Sequence, residues 1–327
     1  MMFDIEGISK EVLLRLYRIM LKIRQVELKI EELYPQDEMK TPVHLCIGQE
    51  AVAAGVCANL TVDDYVFSNH RGHGHYIATG GDLKAMIAEL YCKRTGCSKG
   101  KGGSMHLVDT SVGLLGSSSI VGGCIPIAAG TALGATLQKE NKVSVAFFGD
   151  GGVDEGVFYE SLNFAALKRL PVIFVCENNF YAVCSPQSKR QLKDDIHRRA
   201  ECLSVPGYRA DGNNVIEVYR VANNVVNNAR KGNGPSLIEC RTYRWRGHVG
   251  PGSDIKLGYR AQQELDKWME RCPVRNFELL LIDRDMMTRE EIDIVHQEVQ
   301  KEIEDAFEFA QASPLPDEDE LFTDLYQ

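Results

Sequence analysis

The pattern of apolar and polar positions divides the chain into helical stretches separated by short strand-like runs. Between Lys10 and Tyr34, residues Val12, Leu13, Leu16, Met20, Ile23 and Ile30 recur at helical spacing behind Ser9, a good N-cap, with charges on the other face. A helix of small residues follows Ile47-Gly48-Gln49-Glu50, and Asp82 to Tyr91 reads as a short amphipathic helix. Val143 to Phe148 is a compact apolar run rich in β-formers, which predicts a buried strand. A helical pattern comes next (Phe158, Leu162, Ala165, Ala166, Leu170), and Pro171 opens a second buried run, Val172 to Cys176. Together they form a strand–helix–strand unit with a polar cluster after each strand, and in a parallel sheet both clusters fall at the ligand-binding edge. Further on, 215–231 is helical and Pro235 to Arg241 is a core strand after a Gly-Pro turn. Thr288 and Glu291 form a capping box ahead of the stripe Ile292, Val295, Val299, Ile303 and Ala306. The charged segment Lys189 to Ala200 reads as mobile or surface chain, and Pro206 to Asn214 as a turn-rich connection. The tail PLPDEDELFTDLYQ reads as a docking strand or an exposed end.

Composition narrows the class. The chain has 327 residues, 44% of them hydrophobic, enough for one large α/β domain or two smaller ones. A net charge of −9 without a basic cluster argues against a nucleic-acid surface. The ten cysteines form no CxxC and no zinc-ligand spacing, and several sit in apolar runs, which indicates a reducing compartment. The first residues, MMFDIEGISK, show no signal-peptide core and no transit character, and no apolar run is long enough to span a bilayer.

The candidate chemistry gathers after the two buried strands. Asp150 offers an anionic oxygen, Gly151 and Gly152 admit a bulky anion close to the backbone, and Asn179 offers an amide oxygen with a backbone carbonyl just beyond. Such a set suits Mg²⁺ with room left for phosphate oxygens. His70-Arg71-Gly72-His73-Gly74-His75 lacks a carboxylate or cysteine at zinc-site spacing; its glycines indicate backbone bent against a ligand, and the Arg71 fork suits a diphosphate. Lys99 to Ser104 resembles a P-loop but lacks GxxxxGK[ST], so a loop closing over a site or at a subunit contact fits better. His106 is a site histidine or a loop anchor. Taken alone, His44 and His248 are loop histidines. The Ser-rich turn ahead of the Gly/Ala-packed helix within 114–134 either packs tightly or also hydrogen-bonds a heteroaromatic ligand.

GDG at 149–151 with NN at 178–179 resembles the thiamine diphosphate binding motif. With IGQEA, HRGHGH, SKGKGGSMH, IVGG, ENNFYA, GPSLIECRTYR, the GH pair ending at His248 and the SPLPDEDELFTDLY tail, nearly the whole chain resembles the alpha subunits of thiamine-diphosphate-dependent 2-oxo acid dehydrogenases, the pyruvate and acetoin types above all. The resemblance implies a doubly wound α/β fold of the diphosphate-binding type: a parallel sheet with helices on both faces, spanning 1–327 as one domain with an N-terminal helical arm (8–34) and a C-terminal helical extension (260–327). It implies Mg²⁺ on Asp150, Asn179 and the Tyr181 carbonyl. Thiamine diphosphate would lie among His70, Arg71, Ser119, Val121, Gly151, Gly152 and His248, with His44, His73 and His248 as catalytic histidines. It further implies decarboxylation of a small 2-oxo acid, acyl transfer to a lipoyl arm on an acyltransferase component, and an α₂β₂ assembly whose beta subunit supplies the glutamate that activates the cofactor. The isolated chain is therefore expected to be inactive. Two departures stand out. Thr41-Pro42-Val43 replaces the usual aromatic-bearing stretch before His44, which alters the substrate mouth and leaves open an acetoin-cleaving or carboligase relative, or a non-catalytic cofactor-binding scaffold. Val249 replaces the phosphorylatable serine that follows the histidine in mitochondrial pyruvate enzymes, which points to a prokaryotic, cytoplasmic protein without that kinase control.

Overall fold

Residues 3–323 are described by a computed structural model. The chain begins with α1 (Lys10–Leu33), α2 (Glu50–Cys57), β1 (Tyr65–Asn69), α3 (His73–Thr79) and α4 (Leu83–Leu90). Then come β2 (Leu114–Ser118), α5 (Cys124–Gln138), β3 (Ser144–Gly149), α6 (Gly156–Lys168) and β4 (Val172–Asn178). A hairpin, β5 (Tyr181–Ala182) with β6 (Ser185–Pro186), leads into α7 (Gln187–Arg190), α8 (Ile196–Glu201), β7 (Gly207–Asp211), α9 (Val215–Arg230) and β8 (Ser236–Arg241). Three helices close the chain: α10 (Gln262–Glu270), α11 (Pro273–Asp283) and α12 (Arg289–Ala312).

Six strands pair in parallel in the order β2-β1-β3-β4-β8-β7. The central strands β3 and β4 are buried along nearly their whole length because helices cover both sheet faces. Alternation assigns their side chains: Val145, Phe147, Ile173 and Val175 join the core that contains α1, α2 and α9, whereas Ala146, Phe148, Val172 and Phe174 join the core under α5 and α6. The sheet is thus doubly wound, as the resemblance implies. From β1 the chain winds one way to β2, and from β3 it winds the other way through β4. The C-terminal ends of β1 and β3 therefore form the switch point, where a parallel sheet opens a crevice.

The helical readings hold at the ends of the chain. Ser9 Oγ accepts from the Val12 amide, and the Thr288–Glu291 capping box is reciprocal. Two readings need correction. Residues 206–214 contain the edge strand β7, whose sequence GYRAD is too polar to show as an apolar run. Segment 189–200 holds α7 and α8, and its Arg190 and Gln191 pack inward onto Asp150 and Asp154. Of the two readings of the tail, the exposed one holds for its described part, which forms a 3₁₀ turn, Glu318–Phe322, that Arg94 pairs with through Asp317 and Glu320. Residues 324–327 lie outside the described residues.

The glycine-rich loop also has an unforeseen role. Ser98 and Gly100 donate their amides to one oxygen of the buried Glu89 carboxylate, at 2.8 and 2.9 Å. Gly102 and Gly103 donate theirs to the other, again at 2.8 and 2.9 Å. Gly100 and Gly103 have positive φ (77° and 59°), so the loop forms an anion nest filled by the chain's own carboxylate. His106 anchors this loop, with Nδ1 3.0 Å from the Gly102 carbonyl. Glu89→Gln leaves two amides facing an NH₂ group. It is expected to cost about 3 kcal/mol in urea unfolding, as for two lost bonds to a charged group, and to raise hydrogen exchange across 98–103. An unchanged urea midpoint contradicts this role.

Candidate active site

At the switch point the loops after β1, β3 and β4, together with His248 and the turn before α5, enclose a cavity of about 310 Å³. Its walls include nine of the residues expected at the site: His70, Arg71, Val121, Asp150, Gly151, Gly152, Asn179, Tyr181 and His248.

The wall after β4 is shaped by two successive Asx turns. Asn178 Oδ1 accepts from the Phe180 amide at 3.1 Å, and Asn179 Oδ1 from the Tyr181 amide at 3.3 Å. Phe180 is held at φ 70° and Val183 at φ 53°, left-handed conformations that non-glycine residues rarely adopt. The two asparagines differ in role. Asn178 donates to Glu239 and Gln187 and is structural, whereas Asn179 faces the cavity. Opposite, β3 delivers Gly149-Asp150-Gly151. A Cβ at Gly151 would meet the Ala182 Cβ at 3.0 Å, so the hairpin and the glycine turn can approach only because that side chain is absent.

Asp150 is 1% exposed, and its carboxylate is ion-paired with Arg190, which also pairs with Asp154. Burial pushes its pKa up, and Arg190 opposes that shift. A carboxylate, a carboxamide oxygen and the nearby Tyr181 make an oxygen-rich edge that fits a hard divalent cation. Gly151, Gly152 and Arg71 beside it suit phosphate oxygens.

His70 and His248 line the cavity, and His44 packs against both. His44 lies 4.7 Å from His70 and 5.1 Å from His248, ring centre to ring centre, and His70 lies 5.3 Å from His248. Burial, then the Arg71 charge, lowers the pKa of His44 to about 3 and of His248 to about 4. The same two causes lower that of His70 to about 2. All three are therefore neutral at neutral pH, able to accept a proton or to donate a hydrogen bond. Their ring nitrogens approach within 4.8 Å of one another, but the Arg71 guanidinium opposes a dication there. Arg71 itself donates to the Leu45 carbonyl at 2.6 Å and the His248 carbonyl at 3.3 Å, so it also fixes the loops bearing His44 and His248.

Three expected positions, His44, His73 and Ser119, lie outside the cavity wall. His73 is fully buried with α1, its Nδ1 2.6 Å from Glu27 and its Nε2 2.8 Å from Ser104. It opens α3 and does not line the cavity. The Ser119 hydroxyl instead meets His106 Nε2 at 3.2 Å. His44 reaches the site through its contacts with His70 and His248. Sequence reasoning did not single out Gln49 and Glu177, which also line the cavity. Glu177 lies 3.3 Å from His75 Nε2, and His75 Nδ1 is 2.7 Å from the Ser68 hydroxyl. Both missed residues directly adjoin recognised motifs, Gln49 inside IGQEA and Glu177 before the paired asparagines.

Among the described residues no helix is long and apolar enough to cross a membrane. The Dehydrogenase E1 component family matches residues 17–318. The chain is 42% identical over 323 residues to the alpha subunit of acetoin:2,6-dichlorophenolindophenol oxidoreductase of Bacillus subtilis, covering 98% of this chain and 96% of that one. It is 38% identical over 318 residues to the pyruvate dehydrogenase E1 component alpha subunit of Rhizobium meliloti, covering 97% and 90%. To the corresponding subunit of Porphyra purpurea it is 37% identical over 322 residues, covering 96% and 93%.

Proposed function

The chain belongs to the dehydrogenase E1 component family, which depends on thiamine diphosphate, and within it we propose the alpha subunit of an α₂β₂ enzyme that uses Mg²⁺ and passes an acyl group to a lipoyl carrier. The reaction begins with decarboxylation of a small 2-oxo acid. The observation that carries this reading is the convergence of Asp150, Asn179, Gly151, Gly152, Arg71 and His248 on one cavity at the switch point.

Bound there, thiamine diphosphate supplies the nucleophilic carbon and the electron sink for decarboxylation. The chain's own residues do the rest. Asp150, Asn179 and the Tyr181 carbonyl hold Mg²⁺. Arg71 and the amides of Gly151 and Gly152 hold the diphosphate, and Val121 supports the cofactor's shape. His44, His70 and His248 present neutral imidazoles to the reacting groups, where each can hold or release a proton at a ring nitrogen. The ten cysteines are all free thiols, which fits work in the reducing cytoplasm.

A second reading, acetoin cleavage, is favoured by the similarity to the Bacillus subtilis subunit and by Thr41-Pro42-Val43 ahead of His44. The two are separated by assaying the chain, co-expressed with its beta partner, on pyruvate, longer 2-oxo acids and acetoin, with a lipoyl domain and an artificial acceptor in parallel. Turnover of a 2-oxo acid with the lipoyl domain supports the first reading. Turnover of acetoin alone supports the second.

A further inference from the structure

Gln49 stands at the start of α2, yet its side chain does not cap that helix. The surrounding backbone is fixed. Gly48 holds φ 100° against the Trp245 ring, its amide meets Glu50 Oε1 at 3.0 Å, and its carbonyl accepts from Thr242 Oγ1 at 3.2 Å. From this anchored position the Gln49 side chain, 1% exposed, reaches the cavity wall. Its Oε1 accepts from Asn179 Nδ2 at 3.0 Å, and its Nε2 is buried with no hydrogen-bond partner among the described residues. A buried amide with one half committed and the other half unpartnered requires an explanation that local folding does not give.

We propose that Gln49 is a positioning residue of the cation site: its carbonyl holds the Asn179 amide nitrogen and so presents Asn179 Oδ1 to the metal. This deepens the reading above and rests on it. Asn179 has two chemically different faces of nearly equal shape, and only the oxygen face can bind a cation. With Nδ2 bound to Gln49, rotation of the carboxamide would bring two acceptors together and leave the donor unpaired. Outer-shell partners of this kind orient ligands and typically change metal affinity about 10–100-fold when lost.

The test uses the complex stripped of cofactor, with Mn²⁺ as the probe, titrated by electron paramagnetic resonance at fixed thiamine diphosphate. Gln49→Met fills the same space without an acceptor, and Gln49→Glu restores the acceptor alone. Gln49→Met is expected to weaken Mn²⁺ about 10–100-fold, with the thermal midpoint unchanged, while Gln49→Glu stays within about threefold of wild type. Wild-type Mn²⁺ binding by Gln49→Met overturns the inference when Asp150→Ala abolishes that binding. If Asp150→Ala binds Mn²⁺ normally as well, the metal assignment itself fails. Equal weakening in Gln49→Met and Gln49→Glu shows that the acceptor does not position Asn179, and also overturns it.

Discussion

Asp150→Ala abolishes Mg²⁺-dependent binding of thiamine diphosphate to the assembled enzyme and leaves the fold intact. Asp150 is the anionic member of the oxygen set at the cavity edge, and it is almost fully buried at the end of the central strand β3. The loss should exceed the about 10–100-fold seen for residues that only orient a ligand, because a cation there loses its one full counter-charge from this set. The fold should survive because β3 is held by register with β1 and β4 along its length, and Arg190 retains Asp154 as a partner. Calorimetric titration of thiamine diphosphate with and without Mg²⁺ checks this. Unchanged Mg²⁺-dependent heat in the variant removes Asp150 from the site.

His248→Ala separates binding from chemistry. The imidazole lines the cavity and meets His44 and His70, and burial with the Arg71 charge keeps it neutral, with a pKa of about 4. Removing it takes away a group that can accept or return a proton, which typically contributes about 10²–10⁴-fold. Turnover should therefore fall by that range, while thiamine diphosphate affinity stays within about threefold, since the loss concerns a step and not the hold on the cofactor. Turnover close to wild type would show that His248 handles no proton in the slow step. Lost cofactor binding would make it a binding residue instead.

What was legible in the sequence follows the physics of the sheet. β3, β4 and β8 are covered on both faces; β3 and β4 read as apolar runs, whereas β8 carries Glu239 in its middle. β2 and β7 lie at the two edges and carry glycine, serine or arginine, so their strand character emerges only from pairing with β1 and β8. β1 is interior but short, and it runs straight into the polar residues of the site. Asp150 and Asn179 were readable because each lies just past a readable strand. The cluster of His44, His70 and His248 was expected from the family resemblance alone, because three distant loops meet only through tertiary packing and the Arg71 hydrogen bonds. His73 shares a motif with His70 but opens α3 facing α1, and periodicity could not foresee its bond to Glu27. Arg190 looked like one more surface charge; its destination depends on the buried charge of Asp150.

The central claim is that this cavity makes the chain a thiamine-diphosphate-dependent decarboxylating subunit that works with a beta partner. The direct measurement is release of CO₂ from carboxyl-labelled 2-oxo acids by the isolated chain and by the reconstituted complex, each with and without thiamine diphosphate and Mg²⁺. Release is expected from the complex only, with both additions required. Release by the isolated chain, or by a complex freed of thiamine diphosphate, would contradict the account.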